Sequence, residues 1–480
     1  MIHDLKPYPD YRDSAEPWLG DVPVHWDVAP LRSIGRFSKG SGGTKVDDVA
    51  EGVPCIRYGD LYTQKDIFLL ASRSFITPER AVDYTPLLYG DVLFAGSGET
   101  LDEIGKSAVC LIEGSVHCGG DVLILRPTRE VNPRFLGYAS NIPQAMRQKA
   151  CMGRGVTIMH IYTGSLKYLR LAIPPLIEQA AIVRYLDYMD RRIRRFIHAK
   201  QEMIRLLGEQ KQAVVHSLVM RGIDMNVRLR LSGTPWLGDI PEHWTVSRSK
   251  HFFSVRKDLA RPEDVQLSAT QAYGVIPQAE FEARVARRVV KISMHLEKRR
   301  HVEKDDFVIS MRSFQGGLER AWASGAIRSS YVVLKPGPSV DVEFFSYLLK
   351  SPDYIRALQS TADFIRDGQD LTFDNFCRVD LPLIPLEEQR AIATAITNAA
   401  SGISSNIERV TRQLDLIREY RNRLIADVVT GKLDVREVAT GIPDEISQEE
   451  MLLDEMESFS EDGLEDDDSG LEASLEEVEA

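Results

Sequence analysis

Cysteine is scarce in this chain of 480 residues, at five: Cys55, Cys110, Cys118, Cys151 and Cys377. The number is odd and no C-x-x-C pair occurs, which argues against a disulfide framework or a zinc knuckle. Reduced thiols in a cytoplasmic protein are the expectation. No stretch approaches the roughly 18 uninterrupted apolar residues of a membrane helix. The N-terminus, Met1 to Asp10, is polar and carries proline, so no secretory signal is visible. Catalytic signatures are missing too. Ile173-Pro174-Pro175-Leu176 lacks the Asn and the aromatic of an Asn-Pro-Pro-aromatic methyltransferase motif. Gly40-Ser41-Gly42-Gly43-Thr44-Lys45 lacks the glycine spacing of a phosphate loop and reads as a turn. The ten histidines do not cluster with Cys or Asp at ligand spacings, and His117-Cys118 has no second pair, so no metal site is expected.

Basic residues are absent from 441–480, which hold 17 Asp and Glu. That segment alone makes the chain acidic. The formal net charge is −12, yet the rest carries 59 basic against 54 acidic residues (71 − 17), about +5. A like-charged stretch with few large apolar residues cannot bury enough surface to fold alone, so 437–480 reads as an acidic, disordered tail.

What is present is a repeat. Pro17-Trp18-Leu19-Gly20-Asp21-Val22-Pro23-Val24-His25-Trp26 returns as Pro235-Trp236-Leu237-Gly238-Asp239-Ile240-Pro241-Glu242-His243-Trp244. Pro175-Leu176-Ile177-Glu178-Gln179-Ala180-Ala181-Ile182 returns as Pro385-Leu386-Glu387-Glu388-Gln389-Arg390-Ala391-Ile392. The period exceeds that of solenoid repeats, roughly 20–50 residues, so it marks a duplicated domain in the order A-B-A-B. His25 and His243 are expected to shape a turn or fill a core.

The A segments read as mixed α+β. Short apolar runs such as Asp91-Val92-Leu93-Phe94-Ala95 and Val122-Leu123-Ile124-Leu125 predict strands, separated by turns at Gly40-Ser41-Gly42-Gly43, Gly96-Ser97-Gly98 and Gly119-Gly120. The B segments change period. Ile182, Leu186, Met189, Ile193, Phe196, Met203, Leu207, Val214 and Leu218 follow 3-or-4 spacing, with Lys200 and Lys211 at two seam positions. This predicts a helix of roughly 40 residues, on the order of 60 Å, stopped by Gly222. The second helix runs through Ile392, Ile396, Ala399, Ile403, Ile407, Val410, Leu414, Ile417, Leu424 and Val428 to Gly431. So long an apolar stripe needs a partner helix. The A-B-A-B order lets the two pair only antiparallel, as a coiled-coil spacer with a pseudo-two-fold internal repeat.

Most charges on a surface are only solvated. Arg191, Arg192, Arg194 and Arg195 are expected to flank the helical seam as ion-pairing residues. Bases set in turns beside glycine and aromatics are more suggestive: Arg57-Tyr58-Gly59, Gly153-Arg154-Gly155 and Arg312-Ser313-Phe314-Gln315-Gly316-Gly317. Arg and Gln can read base edges bidentately, and glycine lets backbone approach a phosphate. These turns make Arg57, Tyr58 and Arg154 in the first half, and Arg312 and Gln315 in the second, candidate nucleic-acid contacts; Lys106 and Arg320 join them as candidates through the family resemblance below.

These motifs together resemble the specificity subunit of type I restriction–modification enzymes. The resemblance rests on Tyr11-Arg12-Asp13-Ser14 before Trp18-Leu19-Gly20-Asp21-Val22-Pro23-Val24-His25-Trp26, and on Gly42-Gly43 leading to Gly52-Val53-Pro54-Cys55-Ile56-Arg57-Tyr58-Gly59-Asp60-Leu61. It continues in Gly90-Asp91-Val92-Leu93, Ile104-Gly105-Lys106, the Pro-Leu-x-Glu-Gln-x-Ala-Ile start of each long helix, and Lys432-Leu433-Asp434. It covers about residues 8–436. Residues 256–267 lack the corresponding glycine and Ile-Arg blocks, so the second half has diverged.

The resemblance implies target-recognition domains at 1–168 and 223–378, spacer helices at 169–222 and 379–436, and no catalytic centre in this chain. It implies double-stranded DNA with a bipartite site, two methyltransferase subunits and restriction/translocase subunits as partners, with no membrane. S-adenosylmethionine, ATP and magnesium are expected in those partner subunits and none on this chain. Subunit docking and spacing fall to Glu178, Gln179, Ile182 and Leu186, and to Glu388, Gln389, Ile392 and Ile396. Two other classes compete. A stand-alone nuclease would need a carboxylate–lysine metal site that the motifs do not assemble. A non-catalytic coiled-coil scaffold explains the helices but not two large, divergent, glycine-turned domains.

Truncation after Thr440 is expected to leave the DNA sequence preference unchanged. If the 17 carboxylates compete with phosphate for basic groups, the truncated chain also binds non-specific duplex more tightly at low salt, with the gain fading as salt rises. Gel shifts across a salt series read both effects; equal affinity at every salt leaves the tail a solubilising appendage.

Overall fold

The computed structural model describes residues 5–443, apart from 44, 64–65, 102, 156–157, 225, 286–297, 311–312 and 362–370. Arg312 and the acidic tail from 444 on thus lie outside the described residues. The chain divides into two compact units. One holds residues up to 200 together with 412–443, and the other holds 201–411.

In the first unit a five-stranded sheet runs in the order Gly35–Lys39, Val122–Pro127, Val92–Ala95, Ser107–Cys110, Phe68–Leu69. Its first four strands are antiparallel and the last is parallel to its neighbour. Val92–Ala95 is buried at every position, as its unbroken apolar run requires of a central strand. A second five-stranded sheet orders Asp48–Val49, Ser74–Ile76, Val53–Ile56, Val116–Cys118, Thr85–Leu87. Helix Pro133–Asn141 begins where Asn132 accepts hydrogen bonds from the amides of Arg134 and Phe135, with proline at its first position.

The second unit keeps the plan with fewer strands. Phe253–Val255, Val332–Pro336, Phe307–Ile309 and Glu319–Arg320 form one antiparallel sheet in that order. Helix Val342–Leu348, capped by Asp341, takes the place of Pro133–Asn141. The predicted turn Gly96-Ser97-Gly98 instead contributes a strand, Ser97–Gly98, to a three-stranded sheet with Met159–His160 and Arg154–Gly155.

The first long helix spans Leu176–Arg221 and the second Leu386–Val429. Gly222 and Gly431 end them at φ +76° and +77°, a conformation that costs glycine nothing. Strand Arg170–Ile173 precedes the first helix and pairs with Asp27–Pro30; strand Asp380–Leu383 precedes the second and pairs with Thr245–Arg248. The helices pack antiparallel. In the first unit Asp190 accepts from both Arg194 and Arg421, and in the second Lys211 Nζ donates to Ser404 Oγ at 2.9 Å.

The expected seam needs one correction. Phe196 is 63% exposed and Met203 40%. From Ile193 the ladder steps four residues, to Ile197, and Ile204 rather than Met203 is half-buried. A 3.6-residue period admits either step, and only the partner helix decides between them. The second helix follows its predicted positions, with Ile392, Ile396, Val410, Leu414, Leu424 and Val428 buried. Of the four clustered arginines, Arg194 pairs with Asp190 and with Asp66 of the globular part, while Arg192 donates to Tyr188.

Each unit has its own core, and each core includes the start of one long helix and the end of the other. The first gathers Trp26, Phe94, Phe135, Ile182, Leu186, Leu424 and Val428; the second gathers Trp244, Phe253, Phe307, Phe344, Ile392, Ile396 and Val219. All five cysteines are free; Cys55, Cys110 and Cys118 are buried, and Cys151 is exposed.

The two sequence repeats meet in space. Glu178 accepts from Trp26 Nε1 at 2.9 Å and Tyr8 Oη at 3.2 Å, and its other oxygen lies 2.6 Å from His25 Nε2. Glu388 accepts from Trp244 Nε1 at 3.0 Å and lies 2.9 Å from His243 Nε2. The tryptophans fill the cores, but the histidines are half-exposed bridges to the carboxylates rather than the core fillers or turn formers expected. The glutamate side chains are 9% and 27% exposed. Glu178→Ala leaves a buried indole N–H and a buried phenol without an acceptor and is expected to destabilise the chain by ~2–4 kcal/mol. Glu388→Ala, in the wetter site, should cost about half as much. Thermal unfolding of the two variants checks the ranking; a Glu178→Ala chain as stable as wild type refutes it.

Candidate nucleic-acid interface

Arg57 follows strand Val53–Ile56 and turns inward. Its guanidinium donates to Asp48 and, at 3.3 Å, to the Gly43 carbonyl, and it lies 5.8 Å from the Tyr84 ring centroid. With its side chain 9% exposed and its charge offset by Asp48, Arg57 braces the Gly42-Gly43 turn. Its backbone N–H donates to Asp60 at 2.7 Å, which starts helix Tyr58–Thr63 and leaves Tyr58 exposed.

Lys106 is half-buried, and burial pulls its amine below the ordinary lysine range. Its Nζ donates to the Tyr62 carbonyl at 3.0 Å. Tyr62 Oη in turn donates to the Ser97 carbonyl at 2.7 Å, and Ser97 Oγ lies 3.0 Å from His160 Nδ1. His160 pairs across the small sheet with Arg154, which is exposed and has no ion-pair partner among the described residues. Lys106 and Arg154 therefore share one neighbourhood, tied through Tyr62, Ser97 and His160. Those three connecting residues carry no motif of their own in the sequence.

Behind this neighbourhood lies Lys149, fully buried. Its Nζ donates to the carbonyls of Gly105 at 2.6 Å and Ser140 at 3.0 Å. Burial draws its amine down to about 7. The contact bolts the end of the 96–106 loop to helix Pro133–Asn141.

In the second unit, Gln315 is exposed on the short helix Ser313–Gly316. Arg320 is ion-paired with Asp305 at 2.7 Å and Glu343 at 2.5 Å, and it lies 4.4 Å from the ring centroid of Trp322, which is 49% exposed. Two carboxylates around one guanidinium leave little net positive charge there. Lys350 Nζ lies 2.7 Å from Glu319, whose carboxyl burial pushes up to about 7.

The predicted spacer residues sit where the helices meet the domains. Gln179 is buried and accepts from the Asn132 amide at 2.8 Å while donating to the Pro174 carbonyl. Gln389 repeats this on the Asp341 amide and the Ile384 carbonyl. Ile182, Leu186, Ile392 and Ile396 are buried beneath them. Among the described residues, no group of three or more His, Cys, Asp or Glu is arranged to hold a metal ion, and no helix is long and apolar enough to cross a membrane.

Residues 23–205 match the family described as type I restriction modification DNA specificity domain. The type I restriction enzyme MjaX specificity subunit of Methanocaldococcus jannaschii is 24% identical over 431 residues, covering 87% of this chain and 96% of the relative. The EcoKI specificity subunit of Escherichia coli is 20% identical, covering 90% of this chain and 94% of the relative. A solved chain from work on complex assembly and conformational transition of the type I R-M system shares the fold. Its TM-score is 0.62 at 16% identity, over 86% of this chain and 99% of that one. The clasped double repeat and these likenesses agree: over most of its length the chain is similar to the DNA specificity subunits of type I restriction–modification systems, and residues 23–205 carry the match to their DNA specificity domain.

Proposed function

We propose that each globular part reads one half of a two-part sequence in duplex DNA, and that the long helices set the gap between the halves. The observation that supports this most directly is the duplicated clasp. The same glutamate–tryptophan–histidine joint mounts two domains whose surface loops differ, with a three-stranded sheet around His160 in one and Arg320 beside Trp322 in the other. Identical mounts with different faces suit two readings of different bases. Joining them covalently turns two weak half-site contacts into one specific event through effective concentration.

The chain assembles in this reading with two methyltransferase subunits and with restriction/translocase subunits, which dock on the helical pair. S-adenosylmethionine, ATP and magnesium belong to those partners, and this chain supplies recognition only. Within the first unit, the helices leave Phe196 and Leu416 exposed as apolar residues available for docking.

Two experiments test the reading. Inserting four residues, about one turn and 6 Å, near Ala199 is expected to change the gap between half-sites in methylation maps; an active complex with unchanged spacing overturns the spacer role. Exchanging residues 223–378 for the equivalent domain of a relative is expected to change one half of the methylated sequence only. A change in both halves overturns the modular assignment.

A further inference from the structure

We infer that the small sheet formed by Ser97–Gly98, Met159–His160 and Arg154–Gly155 is the base-reading element of the first domain, with His160 as its specificity-determining residue. This rests on the DNA-reading function proposed above and deepens it to named side chains. The sheet is made of two-residue strands, a neighbouring antiparallel pair (Arg154–Gly155 and Met159–His160) joined by the distant Ser97–Gly98, in the order Ser97–Gly98, Met159–His160, Arg154–Gly155. Strands this short do not hold themselves together. They are fastened from behind. The Ile161 amide donates to the Gly96 carbonyl at 3.0 Å, Tyr62 Oη donates to the Ser97 carbonyl at 2.7 Å, and Lys149 holds Gly105. A side chain at Gly98 would meet Tyr62 Oη at 2.5 Å, and one at Gly155 would meet the Ile158 carbonyl at 2.0 Å. The backbone is thus locked in place.

The outer surface has a different character. Leu101 is 46% exposed, Ile158 53% and Tyr162 57%; Leu101 abuts Gly153 and Ile158 abuts Gly155, to either side of Arg154, and Tyr162 stacks on His160. Exposed apolar side chains gathered next to an unneutralised guanidinium mark a contact surface for an anion with flat, partly apolar faces. Nucleic acid fits, and a narrow β-ribbon enters a major groove. Arg57 and Arg320, by contrast, are tied to carboxylates.

His160 is oriented for reading. Its Nδ1 is held by Ser97 Oγ at 3.0 Å, and its ring lies nearly parallel to that of Tyr162, 29° apart at 6.3 Å between centroids. Its Nε2 has no hydrogen-bond partner among the described residues. A serine hydroxyl can donate or accept, so Ser97 permits either neutral tautomer. The free nitrogen then presents one donor to guanine N7 or O6, or one acceptor to an exocyclic amine, while Tyr162 and Ile158 suit a thymine methyl. Arg154 supplies a phosphate contact that carries no sequence information.

The test uses the full chain assembled with its methyltransferase partners, selecting methylated sites from a random duplex library. His160→Ala is expected to lose about tenfold discrimination at one base pair of one half-site, leaving the other half unchanged. Arg154→Ala is expected to weaken binding to all sequences and to lower its salt dependence. A wild-type complex without a two-part preference sinks the broader function and this inference with it. A wild-type two-part preference retained unchanged by His160→Ala sinks this inference alone, as does equal loss in both halves. Should His160→Ala fail to fold, Tyr162→Ala decides on an exposed ring: unchanged preference and affinity there also overturn the assignment.

Discussion

In each unit a glutamate in the first turn of a long helix accepts a hydrogen bond from a buried indole and meets an imidazole. A carboxylate at that position is favoured by the unpaired amides of the helix N-terminus. The indole N–H has to find an acceptor once its ring fills a core. One carboxylate therefore suits the positive end of the helix dipole and gives a buried donor its acceptor. It also fixes the direction in which the helix leaves the domain. The adjacent glutamine completes the joint, because Gln179 and Gln389 each accept from the amide of a residue that caps a domain helix. With two contacts on successive residues, the helix start can neither rotate nor slide without stranding polar groups.

The two joints differ in how the end of the other helix is brought in. In the second unit the chain runs on from Gly222 to strand Leu229–Leu231. In the first unit two separate segments fill the corresponding place. The Asp434 amide donates to the Lys6 carbonyl at 2.8 Å, and Tyr11 Oη donates to the Gly431 carbonyl at 3.0 Å. Arg436 lies 4.9 Å from the Tyr8 ring centroid and 3.6 Å from Glu178. These contacts replace a covalent connection, and they explain why Glu178 is drier than Glu388.

The long helices were legible because an apolar period sustained over forty residues admits no other structure. Their glycine stops were legible because φ near +77° suits glycine. Phe196 and Met203 were misplaced because two steps satisfy the same period, and the choice belongs to a partner far away in sequence. Both halves of the clasp were visible as repeats, yet nothing local joins Trp26 to Glu178 across 152 residues. Arg57 looked like a free base because its neutralising Asp48 lies on another strand. His160 escaped notice because what distinguishes it is the Ser97 hydroxyl, 63 residues earlier. Local chemistry is written locally; which side chains are neutralised, stacked or aimed is decided by tertiary pairing.

The division of the chain carries a consequence for its synthesis. The second unit is assembled from contiguous residues, 201–411, whereas the first needs residues from 412 onward to cover the stripe of Ile182, Leu186 and Ile193. At ~5–20 residues per second, the ribosome takes roughly 10–40 seconds to make the intervening stretch. During that interval the N-terminal sheets are complete but the first long helix has no partner. A nascent chain in this state shows an apolar seam to the surrounding solution, so the half that emerges first is the half that finishes last. Its closure brings Lys6 and Asp434, residues made more than 400 positions apart, into one bridge.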